Sequence, residues 1–423
     1  MRAEWPKRAI RDFLVRERNR FIFEPQRDVK LPEISAADLY IHIPFCKSLC
    51  PYCPYNRIRY QEMLVEPYIR ALQTEIDSYS SLLGNIEIGS IYIGGGTPTT
   101  VLDRLEPIIE RVRQRFTHDG VIAIETTPED LDQRVIDQLR ALGVNLLSIG
   151  VQSFDNRYLR LLGRPYSARV LAPAITSALS AGFDSVNLDL MFALPGQTVN
   201  EALADLDTAL NLGAEQVTFY PLFTFPYSGV GRLLTLKHVK FPNLQTRRRM
   251  YKAIHNEALS HDFNRVSVWG FKKVGATLFS SVTRDHYIGI GAGAGTHLPN
   301  LFYFNTFSVP AYTLGCSPGA LPVSLQMHMT EAMERFFWLY WQLYETCISK
   351  REFLQRFGDD IRTKSMLWLA FQLRLIADAD DYYALTERGS FWIHLLQNYY
   401  ILNYIDTVWI RSMRDAWPAR IKL

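Results

Sequence analysis

Short apolar runs rich in β-branched residues alternate with longer amphipathic stretches between residues 38 and 222. Each short run ends in a polar or glycine-rich turn, and apolar residues recur at helical spacing in the longer stretches, so the segment predicts repeated strand–helix units. Strands are predicted at 38–45, 90–95, 121–127, 146–153, 185–194 and 215–222. Because alternating strands and helices form parallel sheets, and six units are too few for a closed eight-stranded barrel, we predict an α/β fold with an open, partial (β/α)6 barrel.

The chain changes character after residue 222. A segment rich in proline, glycine and basic residues at 226–249 predicts a linker, and one more helix, a strand-like RVSVWGF and the glycine-rich GIGAGAGT (289–296) follow it. Beyond residue 300 the pattern is mainly helical and aromatic, with FFWLYWQLY at 336–344. We therefore predict an N-terminal extension (1–35), a barrel domain (36–300) and a mainly helical, aromatic-rich C-terminal domain (301–423). The aromatic run is expected to pack in a core, with a substrate lid as the alternative.

Charge and hydropathy exclude several classes of partner. The 423 residues include 46 basic and 43 acidic ones spread along the chain, a balance that gives no field for nucleic acid or an anionic membrane. The first 20 residues contain no apolar stretch of signal-peptide length. The apolar segment 391–410 contains His394, Gln397, Asn398, Asn403 and Asp406, which a membrane span rarely tolerates, so we predict a buried helix. We expect a cytoplasmic monomer.

Cys46, Cys50 and Cys53 form a C-x3-C-x2-C motif directly after the first predicted strand. An odd total of five cysteines in a reducing compartment indicates metal binding or catalysis and not a disulfide framework. Iron–sulfur clusters normally have four protein ligands, so three thiolates without a nearby fourth leave one iron open to a substrate. The alternative is a zinc site completed by His42, although structural zinc sites usually show two paired ligand couples and His42 lies within a predicted strand.

The motifs YIHIPFCKSLCPYC, GGGTPT, SIGVQSF, LGR, NLDLMFALPGQT and GIGAG follow one another with the spacing of a known family. Between residues 38 and about 300 the chain resembles the oxygen-independent coproporphyrinogen III oxidase family of radical S-adenosylmethionine (SAM) enzymes. The resemblance implies a radical SAM barrel in which Cys46, Cys50 and Cys53 bind a [4Fe–4S] cluster. The fourth iron would chelate the methionine part of SAM. A small-molecule substrate and a low-potential electron donor of the flavodoxin or ferredoxin type are implied as partners.

The resemblance also implies which residues contact SAM. A glycine backbone can approach a ligand closely, and arginine can grip a carboxylate through two hydrogen bonds. For the SAM at the cluster, the implied contacts are Tyr52 with the adenine, Gly96 and Thr97 with the methionyl amine, Arg164 with the methionyl carboxylate, and Gln152 and Asp189 with the ribose or nearby polar groups. For a second SAM, the implied contacts are Tyr40, Gly95, Glu125 and Gly295, with Tyr40 and Glu125 as catalytic residues.

Several of these residues have structural explanations as well. Taken alone, Arg164 and Asp189 are better explained by surface ion pairs, and their spacing from Gln152 is what favours a site. Glu125 can also be a helix N-terminal acid close to Pro128.

Three functions remain open at the level of the sequence. Where the porphyrinogen decarboxylases of the family carry a further cysteine, this chain has Tyr55, which argues against the namesake reaction. We predict a two-SAM enzyme of natural-product biosynthesis that transfers a methyl or methylene group to an sp2 carbon, giving methylation or cyclopropanation. The alternatives are an anaerobic tetrapyrrole enzyme, oxidase-like or haem-degrading, and a haem-binding chaperone. A tetrapyrrole would need cations for its propionates, and Arg247, Arg248 and Arg249 are candidates.

Overall fold

The computed structural model describes residues 21–26, 28–223, 240–280 and 285–423, so part of the expected N-terminal extension and most of the expected linker lie outside it. The strands are Ile22–Pro25 (β1), Ala36–Ile43 (β2), Phe45–Cys46 (β3), Ile58–Arg59 (β4), Glu87–Gly95 (β5), Val121–Thr126 (β6), Leu146–Gln152 (β7), Ser185–Phe192 (β8), Gln216–Pro221 (β9), Phe263–Arg265 (β10), Gly270–Lys273 (β11), Tyr287–Ile290 (β12), Gly295–Leu298 (β13), Leu301–Asn305 (β14), Val323–His328 (β15), Cys347–Ser349 (β16), Ile376–Ala379 (β17), Tyr382–Leu385 (β18) and Ile421–Lys422 (β19). The helices are Glu62–Leu83 (α1), Glu106–Arg115 (α2), Gln133–Ala141 (α3), Asn156–Leu161 (α4), Leu171–Leu179 (α5), Val199–Asn211 (α6), Leu244–Ser260 (α7), Val309–Gly315 (α8), Glu331–Tyr344 (α9), Lys350–Phe357 (α10), Ile361–Gln372 (α11) and Glu387–Arg414 (α12). Single 3-10 turns lie at Pro98–Arg104, Pro128–Asp130 and Ala168–Val170.

The strand–helix repeats form as the apolar pattern requires. The middle strands are buried on both faces, as expected when helices cover a parallel sheet. The helices between these strands bury apolar residues, and α3, α4 and α6 begin at polar N-cap side chains, Asp132, Asp155 and Thr198. At the start of α6, for example, the Thr198 side chain accepts from Glu201 N at 3.2 Å and the Glu201 side chain accepts from Thr198 N at 2.8 Å.

Six parallel strands form the centre of one large sheet. Their order is β9, β8, β7, β6, β5, β2, and every neighbouring pair is parallel. The predicted α/β fold with an open, partial barrel is therefore confirmed. The run RVSVWGF is not one strand, because β10 and β11 pair antiparallel and Val266 to Trp269 form the connection between them.

The sheet continues beyond the barrel strands. β12 pairs parallel to β2, and β13, β14 and β15 then pair antiparallel up to residue 328, followed by β1 and β19. Asn300, with a φ of 60°, makes the tight turn between β13 and β14, a signal that the sequence LPNL contains. The expected domain boundary at residue 300 therefore falls inside the sheet, and the expected N-terminal extension contributes strand β1.

The mainly helical region begins at Glu331. It contains α9 to α12 and a three-stranded sheet of β16, β18 and β17. Among its contacts with the barrel, Val268 N donates to Tyr344 O at 2.8 Å, and the half-buried Arg248 donates to Glu387 at 2.6 Å. The apolar segment 391–410 lies within the helix α12, and no helix among the described residues is long and apolar enough to cross a membrane.

Candidate functional site

A cavity of about 400 Å³ lies at the C-terminal ends of the parallel strands. This is where chemistry is expected in partial barrels of this kind. The structure brings most of the sequence-predicted site residues to its wall: Cys46, Cys50, Tyr52, Cys53, Gly95, Gly96, Thr97, Glu125, Gln152, Arg164 and Asp189. Tyr40 and Gly295 are not part of this wall.

The cysteine loop is a short turn held at both ends. Cys53 N donates to Cys50 O at 3.2 Å within the turn. At its far end the buried Asn56 donates from Nδ2 to the carbonyls of Ala292 and Phe307, both at 2.9 Å, which ties the loop to the glycine-rich segment before β13. Asn56 thus positions the loop, a role that only its place beside the motif could have suggested.

The chemistry of the thiols suits a cluster better than a single zinc ion. Burial raises the pKa of Cys46 to about 11 and raises that of Cys53, so bound metal has to displace protons there. His42 cannot complete a zinc site without losing its partners, because its Nδ1 meets Tyr40 Oη at 2.8 Å and its Nε2 meets Asn56 O at 2.7 Å. Within the described ranges, no three side chains of His, Cys, Asp or Glu converge closely enough for one metal ion. Three cysteine thiolates without a fourth protein ligand would instead suit an iron–sulfur cluster with one open iron.

Arg164 lies between the cysteine loop and strand β7. Its Nη2 donates to Gly150 O at 2.8 Å and its Nη1 donates to Cys50 Sγ at 3.6 Å, while its buried Nε has no hydrogen-bond partner among the residues that the structure describes. A buried donor without a partner is costly unless a ligand satisfies it. A carboxylate group such as that of methionine fits this donor set, with the Tyr52 ring 5.9 Å from the guanidinium.

Gly96 is required by a close backbone approach. A Cβ at this position would lie 2.7 Å from Phe45 O and 2.9 Å from Ile43 O. The amides of Gly96 and Thr97 already donate to Ile43 O and Phe45 O, at 2.7 and 2.8 Å. The glycine-rich turn therefore approaches the cysteine loop through its backbone, and its amide donors are not available to a ligand.

Two half-buried carboxyl groups, Glu125 and Asp189, line the same cavity as the thiols. Glu125 accepts from the Tyr92 hydroxyl and from Gly95 N, the latter at 3.2 Å. Asp189 accepts from Asn187 Nδ2 at 2.9 Å and from Ser148 Oγ at 3.1 Å. Burial raises the pKa of both groups, and burial together with the charge of Glu125 raises the pKa of Asp189 to about 7. A positively charged ligand would relieve this cost, so the cavity favours a sulfonium or ammonium group.

We expect Asp189→Asn to stabilise the ligand-free protein more at pH 8 than at pH 5. The folded-state pKa of Asp189, about 7, lies above its ordinary value of 3.8, so the wild type loses stability as pH rises between these values. The variant has no carboxyl group here and does not lose this stability. Its free energy of unfolding relative to the wild type should therefore increase by roughly 1–3 kcal/mol between pH 5 and pH 8. Urea unfolding at both pH values measures it. The exposed Asp119→Asn is the control, and equal pH dependence of wild type and Asp189→Asn would contradict the assignment.

Tyr40 and Gly295 have other surroundings than the resemblance implies. The Tyr40 ring stacks on the Tyr92 ring with a centroid distance of 6.0 Å. Tyr40 therefore contacts a residue of the cavity wall without lining the cavity itself. Gly295 lies in β13, where a Cβ would come within 3.1 Å of the Phe304 ring. Its lack of a side chain is therefore explained by sheet packing, and the implied contact with a second SAM stays a prediction.

The sequence missed several residues of the cavity wall. The strands add Tyr92, Ser148, Thr218 and Tyr220, and the C-terminal region adds Tyr340, Trp341, Tyr344 and Glu345. Alternation along the strands could have indicated the first group, because Ser148 and Thr218 are polar residues within otherwise apolar runs. The arginines considered for propionates, Arg247 to Arg249, do not line the cavity, and Arg248 instead binds Glu387.

A family model described as the radical SAM superfamily matches residues 40–209. The chain is 30% identical over 361 residues to the haem chaperone HemW of Bacillus subtilis (strain 168), covering 83% of this chain and 95% of that protein. It is 34% identical over 187 residues to the oxygen-independent coproporphyrinogen III oxidase of Escherichia coli (strain K12), covering 43% of this chain and 41% of that protein. The solved structure of coproporphyrinogen III oxidase (HemN) from Escherichia coli, a radical SAM enzyme, matches with a TM-score of 0.73 at 22% identity, covering 89% and 91% of the two chains, and thus shares the fold.

Proposed function

The chain belongs to the radical SAM superfamily, in the family of the haem chaperone HemW and the oxygen-independent coproporphyrinogen III oxidases, and from this premise we propose an enzyme that cleaves SAM reductively. The cofactors of the superfamily are a [4Fe–4S] cluster and SAM. When bound, they supply a 5′-deoxyadenosyl radical through one-electron cleavage of SAM, which also releases methionine. The observation that carries the proposal is that the three cysteines share one cavity with the Nε of Arg164, which is unpartnered within the described ranges.

The residues of the chain have distinct tasks in this proposal. Cys46, Cys50 and Cys53 hold the cluster, and Arg164 orients the methionyl carboxylate beside it. Gln152 is held in a left-handed conformation, with a φ of 71°, and its Oε1 accepts from Tyr220 Oη at 2.9 Å. The bond from Tyr220 holds the Gln152 side chain, and a strained backbone at a cavity wall is typical of residues that contact a ligand. The electron comes from a low-potential donor of the flavodoxin or ferredoxin type.

For the reaction itself, the cavity charges support a second SAM as the source of a methyl or methylene group. Glu125 is a half-buried carboxyl group whose charge a second sulfonium or its ammonium group would balance. Tyr92 donates to Glu125 and presents an aromatic ring at the same place, which also attracts cations. Methylation or cyclopropanation of an sp2 carbon is the chemistry that this arrangement supports.

A haem-related function is the second candidate, and the comparisons favour it over methyl transfer. The haem chaperone of Bacillus subtilis aligns over 83% of this chain, and the coproporphyrinogen III oxidase of Escherichia coli acts on a tetrapyrrole according to its name. The cavity, however, has few cations for propionates. Lys47 is paired with Asp130 at 2.5 Å, and Arg57 donates to Cys50 O at 2.5 Å.

SAM labelled with deuterium in its methyl group separates the two candidates. With reconstituted protein, dithionite and substrate extracts, methyl or methylene transfer must place deuterium in 5′-deoxyadenosine and form S-adenosylhomocysteine in step with product. We expect Glu125→Gln to suppress label transfer at least about tenfold, because the second sulfonium loses its counter-charge. Glu129→Gln, a cavity carboxylate nearer the cysteine loop, is the matched control.

The outcomes are distinct for each candidate. Unlabelled 5′-deoxyadenosine during product formation would exclude transfer from a second SAM while leaving SAM cleavage intact. A stoichiometric Soret band after haem addition, without SAM consumption, would instead favour the chaperone. Absence of 5′-deoxyadenosine under every condition tested with an intact cluster would contradict the proposed enzyme.

A further inference from the structure

One face of helix α9 reaches the cavity that holds the cysteines. Tyr340, Trp341, Tyr344 and Glu345 are spaced to share one side of a helix, and all four line that cavity. Trp338, from the same aromatic run, is instead buried against Phe353 and Phe357 in a separate core cluster. Trp338 of the aromatic run therefore packs in a core, whereas Tyr340, Trp341 and Tyr344 line the cavity.

The aromatic residues of α9 that line the cavity contact one another edge to face. The Trp341 ring lies 5.1 Å from Tyr340 and 5.7 Å from Tyr344, nearly perpendicular to both. Phe279 and Trp269 contribute further rings from the segment after β10. Flat aromatic walls of this kind bind planar apolar groups with little loss of side-chain entropy.

The position of this wall is fixed before any ligand binds. The carbonyl of Tyr344, at the end of α9, accepts from Val268 N at 2.8 Å. Thr346 then turns the chain sharply, in a left-handed conformation that a β-branched residue rarely adopts, with a φ of 68°. Trp341 is therefore held in place relative to the barrel and does not depend on closure of a lid.

The charges at this end of the cavity are acidic. Within the described part of the chain, the cations of the cavity wall are Lys47, Arg57 and Arg164, all at the cysteine end, whereas α9 adds only the carboxylate of Glu345. Trp341 and Glu345 also line a neighbouring cavity of about 590 Å³. Its carboxylates are Asp38, Asp285, Glu334, Glu345 and Glu352. Among the described residues of its wall, the arginine Arg356 binds Asp285 and Glu352, and the histidines are His286 and His297.

From these observations we infer that the substrate is a planar, aromatic or conjugated molecule without carboxylates, which lies on Trp341 and turns a cationic or hydrogen-bond-donating group towards Glu345. Any part of it that extends beyond Trp341 enters the neighbouring acidic cavity. This inference rests on the proposed radical SAM function and specifies the class of substrate for it. A tetrapyrrole with several propionates is disfavoured, since at this end its carboxylates would meet carboxylates.

Two pyrene derivatives with the same ring and opposite charges test the inference. Fluorescence titration of the cluster-reconstituted protein in saturating SAM should give a Kd for 1-pyrenemethylammonium about tenfold lower than for 1-pyrenecarboxylate. Trp341→Ala should weaken binding of both by about tenfold, because the stacking surface is lost. Glu345→Gln should bring the two Kd values to within about threefold of each other. The controls are Trp368→Ala, whose ring is 63% exposed, and Glu331→Gln, at the far end of α9.

Equal or tighter binding of the carboxylate by the wild-type protein would overturn the inference, as would unchanged binding by Trp341→Ala. The same wild-type preparation is assayed for 5′-deoxyadenosine. If it forms 5′-deoxyadenosine but shows no preference for the ammonium, only the substrate class fails. If it forms none, the proposed function fails, and the binding data then report only which ligands the cavity prefers.

Discussion

Replacing Cys46, Cys50 or Cys53 singly by alanine is expected to abolish both the cluster and all SAM cleavage. The three thiolates would each hold one iron of the cluster, so a variant with only two of them should lose it. The fold should survive, because the loop between Cys46 and Cys53 lines the cavity and lies outside the six parallel strands of the barrel. Iron content, the visible absorption of the cluster and 5′-deoxyadenosine formation after anaerobic reconstitution measure the effect.

Cys347→Ala is the matched control, since Cys347 lies in β16 far along the chain from the triad. It should retain iron and activity. Stoichiometric zinc without iron in the purified wild type, or full iron content in any of the three triad variants, would contradict the cluster assignment. Circular dichroism of every variant separates loss of the site from loss of the fold.

Arg164→Met is expected to raise the Kd for SAM by about 10- to 100-fold. The variant removes a charged donor whose Nε has no partner in the described part of the chain, and hydrogen bonds to charged groups contribute roughly 1.5–3 kcal/mol each. Methionine keeps most of the apolar contact with Tyr52. Equilibrium dialysis with labelled SAM on the reconstituted protein gives the Kd directly.

Arg164→Lys sharpens this test, because it keeps the charge and loses the planar fork that grips a carboxylate at two points. Its Kd should lie between those of the wild type and Arg164→Met. Arg160→Met removes an exposed arginine from α4, which ends three residues before Arg164, and should leave SAM binding unchanged. SAM binding by Arg164→Met as tight as in the wild type would mean that Arg164 only supports Gly150 and Cys50.

The barrel and its cysteine loop were predictable because their signals are local. Apolar strands alternating with amphipathic helices can form only a few topologies, and the triad follows directly after the first of them. The inward-facing Glu125 and Asp189 were found because their positions match a family motif. The physical reason for their importance, a pair of half-buried carboxyl groups with raised pKa values, emerged only in three dimensions.

What the sequence could not provide depends on contacts between distant segments. Gly295 looked like a ligand contact, yet its surroundings are set by Phe304 on the neighbouring strand. The expected boundary at residue 300 lies between β13 and β14, which pair with each other in the large sheet, and the sequence pattern did not indicate this pairing. Trp341 and Trp338 belong to the same aromatic run, and only the docking of α9 decides which of them faces the cavity.

The strand order has a mechanical consequence for the helical region. The chain leaves the sheet after β15 at residue 328 and returns to it as β19 at residues 421–422, with only β1 between these two strands. The 92 residues between them therefore form a module tethered at two nearby points of one rigid edge. A double tether resists the swinging motion that a single hinge allows, so exchange of ligands should depend on small, local movements. Such an insertion can also change its sequence widely over evolution while the catalytic barrel below it stays the same.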